Sequence, residues 1–201
     1  MDKYLDYYYW MSSDWAYFGN PRMADIASRY GLCIRYRPVD MFEVYKQTGG
    51  IVLPLRSKER QSYRFVEMRR FSDILGMPIV LEPSFPPQNL RLPSCFVIAA
   101  NLLGLDQYDL NHSIMTAHWV NDEDMEDPAV LVAAANAVGL DGSALLTRAQ
   151  DQETQNVYAG YTAEAIGRGV FGAPFYFYNN QPFWGQDRLT LLEEEIMKQE
   201  G

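Results

Sequence analysis

The chain reads as an α/β protein whose sheet is interrupted by a long helical stretch. Two observations predict this. Strand-like runs occur only at 4–11, 32–37 and 175–184, whereas 57–168 carries helical spacing and no convincing strand. The order is strand, helix, strand, then helices, then two strands and a helix. One α/β core split by a helical insertion is the simplest packing of that order. Residues 1–50 and 169–201 would build one domain together, with 51–168 as the inserted helical domain.

The first run, Tyr4-Leu5-Asp6-Tyr7-Tyr8-Tyr9-Trp10-Met11, is aromatic and poor in helix formers, as a largely buried strand is. Ser12, Ser13 and Asp14 then stop a strand and cap a helix. A strand that turns through serine into a helix sets a hydroxyl beside free backbone N–H groups at the positive helix end. Such a place binds an anion or activates a nucleophile. Capping alone also accounts for either serine. Met23, Ile26, Ala27 and Tyr30 share one helical face. Asn20-Pro21 has the form of an N-cap followed by proline at the first helical position. The segment is therefore one helix from Ser13 kinked at Pro21, or a turn and then a helix, and Gly31 ends it. Leu32, Ile34 and Tyr36 alternate with Cys33, Arg35 and Arg37 in a second strand closed by Pro38. By the general rule this βαβ unit is parallel and right-handed.

Residues 48–57 read as a loop. Ser57 caps a helix to Leu75, with Phe65, Met68, Phe71 or Ser72, and Leu75 as its apolar stripe and Gly76 as its stop. Pro78, Pro83, Pro86, Pro87 and Pro93 make 77–93 an extended connector. Helices follow over 94–104 and 107–118. The acidic run 121–127 lacks the glycine and distal glutamate of a calcium loop and reads as solvated. Asp127-Pro128 starts a helix closed by Gly139, Asp141 caps a short one, and 152–168 is another. His112 and His118 do not share a helical face and read as structural. Phe175 to Tyr178 is a strand, and Asn179-Asn180 tolerates the positive φ of a hairpin turn into 181–184. Arg188, Leu189, Leu192 and Ile196 belong to an amphipathic last helix. The helical block is expected to cover one side of the sheet.

Seventeen basic against 26 acidic residues give a net charge of −9, which leaves no basic patch for a nucleic-acid partner. No apolar run of about 18 residues suggests a membrane span, and the start lacks the order of a signal peptide. Only Cys33 and Cys95 occur, far apart and outside any C-x-x-C. A disulfide framework, a metal site and a dithiol centre are not expected, and a reducing cytoplasm is.

Three segments together resemble a known family: Ser13-Asp14-Trp15-Ala16-Tyr17-Phe18-Gly19, Val170-Phe171-Gly172-Ala173-Pro174-Phe175, and Phe183-Trp184-Gly185-Gln186-Asp187-Arg188-Leu189. They are similar to the S-P-[WFY]-x-Y-L, V-F-G-[VA]-P and W-G-x-D-R-L patterns of the 2-hydroxychromene-2-carboxylate isomerases. These are relatives of the kappa-class glutathione transferases and of the thioredoxin-fold disulfide oxidoreductases with a helical insertion. The segment from Gly49-Gly50 to Glu67, with Arg60, Tyr63 and Arg64, also looks like a subgroup of these proteins, and the resemblance spans essentially the whole chain.

The resemblance implies a thioredoxin-like fold (βαβ…ββα) and glutathione as cofactor. It implies that Ser13, with Ser12 as the fallback, holds the glutathione thiol as the thiolate. A hydroxyl donor at a helix start can lower a thiol pKa by about one or two units. Pro174 would be in the cis form, with the Ala173 backbone pairing with the tripeptide like an added strand. Trp184, Gly185, Gln186 and Asp187 would bind the γ-glutamyl end, although Asp187 alone also reads as a helix cap. Tyr45, Lys46 and Arg56 lie where the family contacts the carboxylate of a small aromatic acid substrate. Each also reads as a solvated surface residue. The implied reaction is isomerisation of a 2-hydroxychromene-2-carboxylate-like acid to the open-chain trans-o-hydroxybenzylidenepyruvate, by a homodimer. A kappa-like glutathione S-transferase and a non-catalytic thioredoxin-fold binding protein are the alternatives. One departure bears on activity: the family has proline after the serine, and this chain has Asp14.

Overall fold

In the computed structural model, which describes residues 3–86 and 88–200, four strands form one mixed sheet in the order β2-β1-β3-β4. β1 (Lys3–Tyr9) and β2 (Leu32–Pro38) are parallel, with Tyr7 opposite Tyr36. The crossover between them is α1 (Asp14–Arg29). β3 (Phe175–Tyr178) lies antiparallel on the other side of β1, with Tyr8 opposite Phe175, and β4 (Gln181–Trp184) is the outer strand. Asn179 and Asn180, at φ of 46° and 65°, form the hairpin turn whose twist matches the strands.

Burial follows the pleat. Leu5, Tyr7 and Tyr9 enter one core and Tyr8 the other, all four at 0% exposure. A strand buried on both faces has no polar side, which is why β1 is aromatic at consecutive positions. Tyr7 stacks on Tyr9 with ring centroids 4.3 Å apart and on Tyr176 at 5.3 Å. Asp6 is the polar exception. It accepts from Arg35 Nε at 2.6 Å, Arg168 Nη1 at 2.7 Å and Arg37 Nε at 3.3 Å, which ties β1 to β2 and to the chain after the helical block.

α1 runs unbroken through Pro21, so Asn20-Pro21 is not a helix start. A proline there removes one helical hydrogen bond. The packing of Tyr17, Phe18, Met23 and Ile26 on either side holds the helix together. Asn20 is buried and its Oδ1 accepts from Asn111 Nδ2 at 3.2 Å. The region before 48 holds a second helix without a sequence expectation, α2 (Met41–Thr48). Asp40 caps it by accepting from Phe42 N–H at 2.9 Å, and Gly49 closes it at φ 74°.

The inserted stretch contains α3 (Lys58–Leu75), α4 (Arg91–Leu102), α5 (Tyr108–Trp119), α6 (Pro128–Ala137), α7 (Gly142–Gln150) and α8 (Gln152–Gly167). Among the described residues it has no strand. It does not stay on one side of the sheet. α4 to α7 join the core of Tyr7 and α1, but Tyr161, Ala165 and Ile166 of α8 pack with Tyr8, Phe175, Phe177 and the α2 residues Met41 and Val44. α8 must return the chain to β3, and α2 supplies the partner for it on the second face. α9 (Leu189–Glu200) buries Leu189, Leu192 and Ile196 against the first.

The acidic run 121–127 is more than solvated. Asp122 accepts from the Ser84 N–H at 2.7 Å, and Glu126 from the N–H groups of Gln88 at 2.5 Å and Asn89 at 2.8 Å. These carboxylates pin the proline-rich connector, and Met125 is buried beneath them. Among the described residues no helix is long and apolar enough to cross a membrane.

Candidate functional site

β1 ends in a tight turn, where the Ser13 N–H donates to the Trp10 carbonyl at 2.9 Å. Ser13, extended in φ and ψ, is the N-cap of α1: its Oγ accepts from the Ala16 N–H at 3.2 Å. The same hydroxyl donates to the carbonyl oxygen of Ala173 at 3.5 Å. Capping and facing the Ala173 loop therefore coexist at Ser13. The Ala173–Pro174 peptide is cis.

Beside Ala173 lies a cleft of about 250 Å³. Trp15 of α1 and Glu67 and Phe71 of α3 form one wall, and Trp184 to Arg188 form the other. A shallower groove of about 670 Å³ runs between α1 and β2 and contains none of these residues.

The second wall depends on two glycines. Trp184, 53% exposed, stands edge-on to Phe171 at 4.8 Å. Its indole covers Gly172, where a Cβ would come within 2.4 Å of Trp184 Nε1. Gly185 sits at φ 100°, a conformation that side chains avoid, and a Cβ there would lie 2.4 Å from Asp187 Oδ1. Its N–H donates to the Pro174 carbonyl at 3.0 Å and fastens the end of β4 to the cis-proline.

Asp187 is half-exposed and contacts Arg188 Nη1 at 2.7 Å, so opposite charges stand side by side at the cleft. Gln186 differs from the other three. It reaches the cleft, but it is 2% exposed and its Oε1 accepts from Arg22 Nη1 at 2.7 Å. Its side-chain oxygen is committed to α1.

Asp14, the departure from the family pattern, is 5% exposed. Arg64 Nε of α3 lies 2.9 Å from its Oδ2, out of line for a hydrogen bond, so the contact is one of charge. Burial pushes the Asp14 carboxyl above the ordinary carboxylate value; Arg64 and the first-turn N–H groups oppose that shift. None of the three candidates for the substrate side, Tyr45, Lys46 and Arg56, lines the cleft. The Tyr45 ring packs over Gly50, and burial raises its phenol against the opposing charge of Arg56. Arg56 Nε donates to the Ile51 carbonyl at 2.8 Å. Lys46 is 64% exposed and pairs with Glu43 at 2.5 Å. Both cysteines are free, Cys33 exposed on β2 and Cys95 buried in α4 with its thiol pushed up to about 11 by burial. The start of α1 thus carries a hydroxyl and neither of the two cysteines.

Sequence reasoning assigned no cleft role to Trp15, Glu67, Phe71 or Arg188, and none to Arg64 as the partner of Asp14. Phe71 and Arg64 were visible as part of the 57–75 helix. Their direction toward α1 follows from tertiary packing, because an apolar stripe marks a buried face and not the neighbour that covers it.

Residues 4–197 match the family described as DSBA-like thioredoxin domain. A 2-hydroxychromene-2-carboxylate isomerase of Sphingobium xenophagum is 30% identical, over 98% of this chain and 100% of that protein. One from Pseudomonas putida is 27% identical, over 96% and 93%. A solved structure of a 2-hydroxychromene-2-carboxylate isomerase superposes with a TM-score of 0.82 at 26% identity, covering 97% of this chain and 95% of that one.

Proposed function

We propose, from the premise that this chain belongs to the 2-hydroxychromene-2-carboxylate isomerase family of DSBA-like thioredoxin-domain proteins, that it is a glutathione-dependent isomerase of 2-hydroxychromene-2-carboxylate-like aromatic acids. One observation carries the reading. Ala173, Trp184, Gly185, Gln186 and Asp187 line a single cleft, and the Ser13 hydroxyl reaches Ala173 beside it.

The chemistry of the donors fits the tripeptide. The Ala173 backbone, just before the first residue of β3, would pair with the tripeptide like an added strand. Asp187 and Arg188, side by side, suit the ammonium and carboxylate of an amino-acid end. The indole of Trp184 and the rings of Trp15 and Phe71 give the cleft apolar walls.

Glutathione, when bound, supplies a thiolate that adds reversibly to the open-chain substrate, so that a double bond becomes free to rotate. Ser13, at the positive end of α1, would give that sulfur the hydrogen bond its hydroxyl now gives Ala173, keeping its own proton. Trp15 and Phe71 give the wall opposite Trp184 an apolar surface. Tyr45, Lys46 and Arg56 are the candidates for the substrate carboxylate, with Tyr45 and Arg56 electrostatically coupled.

Titration of glutathione by calorimetry, followed by the isomerisation assay with and without it, tests the reading. Binding together with glutathione-dependent isomerisation supports it. A stable conjugate indicates a transferase on the same site. No binding removes glutathione and leaves a thioredoxin-fold binding protein.

A further inference from the structure

We propose that Asp14 and Arg64 form a charge-compensated pair that sets the acidity of the thiol held at Ser13, with Arg64 a positioning residue that acts by cancelling Asp14. The inference rests on the glutathione reading above and concerns what governs the thiol once it is bound.

The pair stands beside the serine proposed to hold the sulfur. Asp14 is the first residue of α1, directly after Ser13 and directly before Trp15 of the cleft wall. Arg64 shares one face of α3 with Glu67 and Phe71, which line the same cleft. Both partners are withdrawn from water, with side chains 7% and 16% exposed. Charges in such a place are screened little.

A lone carboxylate there opposes a thiolate, and a lone guanidinium favours it. A helix N-terminus supplies roughly half a positive charge, which one uncompensated carboxylate more than cancels. With Arg64 2.9 Å away the two unit charges offset each other, and the helix end and the Ser13 hydroxyl act on the sulfur unopposed. Asp14 is thereby tolerated at a position where an unpaired acid would disable the site. Of the other charges around it, Arg56 has no carboxylate partner among the described residues and stands beside the neutral phenol of Tyr45, which feels Asp14. Glu67 is paired with Arg70 at 2.6 Å. Asp187 is paired with Arg188.

A pair that only fastens α3 to α1 makes a different prediction from a pair that sets a field. The readout is the pH midpoint at which ultraviolet thiolate absorbance of bound glutathione appears, the thiol proton leaving to solvent. Asp14→Asn keeps the shape and frees the charge of Arg64, so the midpoint should fall by about one pH unit, a roughly tenfold gain in thiolate fraction below it. Adding Arg64→Met to Asp14→Asn removes the second charge, and the midpoint should return to within a few tenths of the wild-type value. A wild-type midpoint in Asp14→Asn overturns the proposal, as does a double variant that keeps or enlarges the shift. If the double variant does not fold, Asp14→Asn decides alone by the direction of its shift. Glutathione binding to the wild type is measured first. Its absence overturns the functional reading and this inference together, whereas binding with unmoved midpoints overturns only the pair.

Discussion

The Ser13 hydroxyl lies 3.5 Å from the Ala173 carbonyl oxygen, and this contact joins the first turn of α1 to the loop before cis-Pro174. The hydroxyl is already desolvated and directed at the rim of the cleft, so a sulfur anion there meets a donor that needs little reorganisation. Ser13→Ala should lower isomerase turnover about 10²-fold, with a smaller effect on glutathione affinity. Loss of the cap should cost about 1 kcal/mol of stability. Kinetics at saturating glutathione and a denaturant titration separate the two effects. Unchanged turnover in Ser13→Ala, with turnover lost in Ser12→Ala, would move the role to the other serine.

Asp187→Ala should give the opposite kinetic pattern. The Asp187 carboxylate is half-exposed and shared with Arg188, so its loss should cost about 1 kcal/mol of binding, about fivefold in affinity. Turnover at saturating glutathione should stay within about twofold, because in the proposed binding mode the amino-acid end lies away from the sulfur. A large fall in turnover with unchanged affinity would place Asp187 at the chemistry instead.

Gly185→Ala tests the backbone of the same wall. At φ 100° a side chain is strained whatever space surrounds it, and here the Cβ also meets Asp187 Oδ1. A destabilisation of about 1–3 kcal/mol is expected, together with the weaker glutathione binding of Asp187→Ala. Calorimetric melting and a binding isotherm check both, and a variant as stable as the wild type with intact binding contradicts the account.

Asp6 offers a prediction away from the site. Burial pushes its carboxyl up, but Arg168, Arg35 and Arg37 outweigh burial and hold it below the ordinary carboxylate value. A depressed carboxyl stabilises the folded state above its unfolded value, and that contribution is lost as pH falls through the lowered value. Asp6→Asn should therefore destabilise by about 3 kcal/mol near neutral pH. Most of that difference should vanish as the wild type is acidified below the ordinary carboxylate range. Denaturant unfolding at several pH values measures it. A difference that stays constant down to acid pH would assign the loss to packing rather than charge.

Much of this architecture is legible in the chain itself because its punctuation is chemical. Ser57, Asp127 and Asp141 cap helices, and Gly31, Gly76 and Gly139 stop them at positive φ. α2 escaped because two turns offer only Met41 and Val44 as a buried stripe, too few to show a period. Pro21 left two readings open, and contacts on both sides of it decide for the single helix. Of the site, the family motifs marked Ser13, Ala173, Pro174 and the run from Trp184 to Asp187, which the fold gathers around one cleft. The burial of Gln186 under Arg22, the use of α3 as a wall and the partner of Asp14 come from tertiary packing, because periodicity marks a buried face and not what covers it.

The order of the strands carries a consequence for how the molecule comes into being. β1 has β2 on one edge and β3 on the other, and Tyr8 and its partner Phe175 are synthesised far apart. Until β3 emerges, β1 presents an unpaired edge flanked by aromatic rings, the kind of surface that recruits the wrong neighbour. The cleft likewise does not exist before then, since one wall follows β1 and the other follows β3. For most of its synthesis the chain thus has an open β1 edge and no cleft, and both conditions end when the β3–β4 hairpin docks.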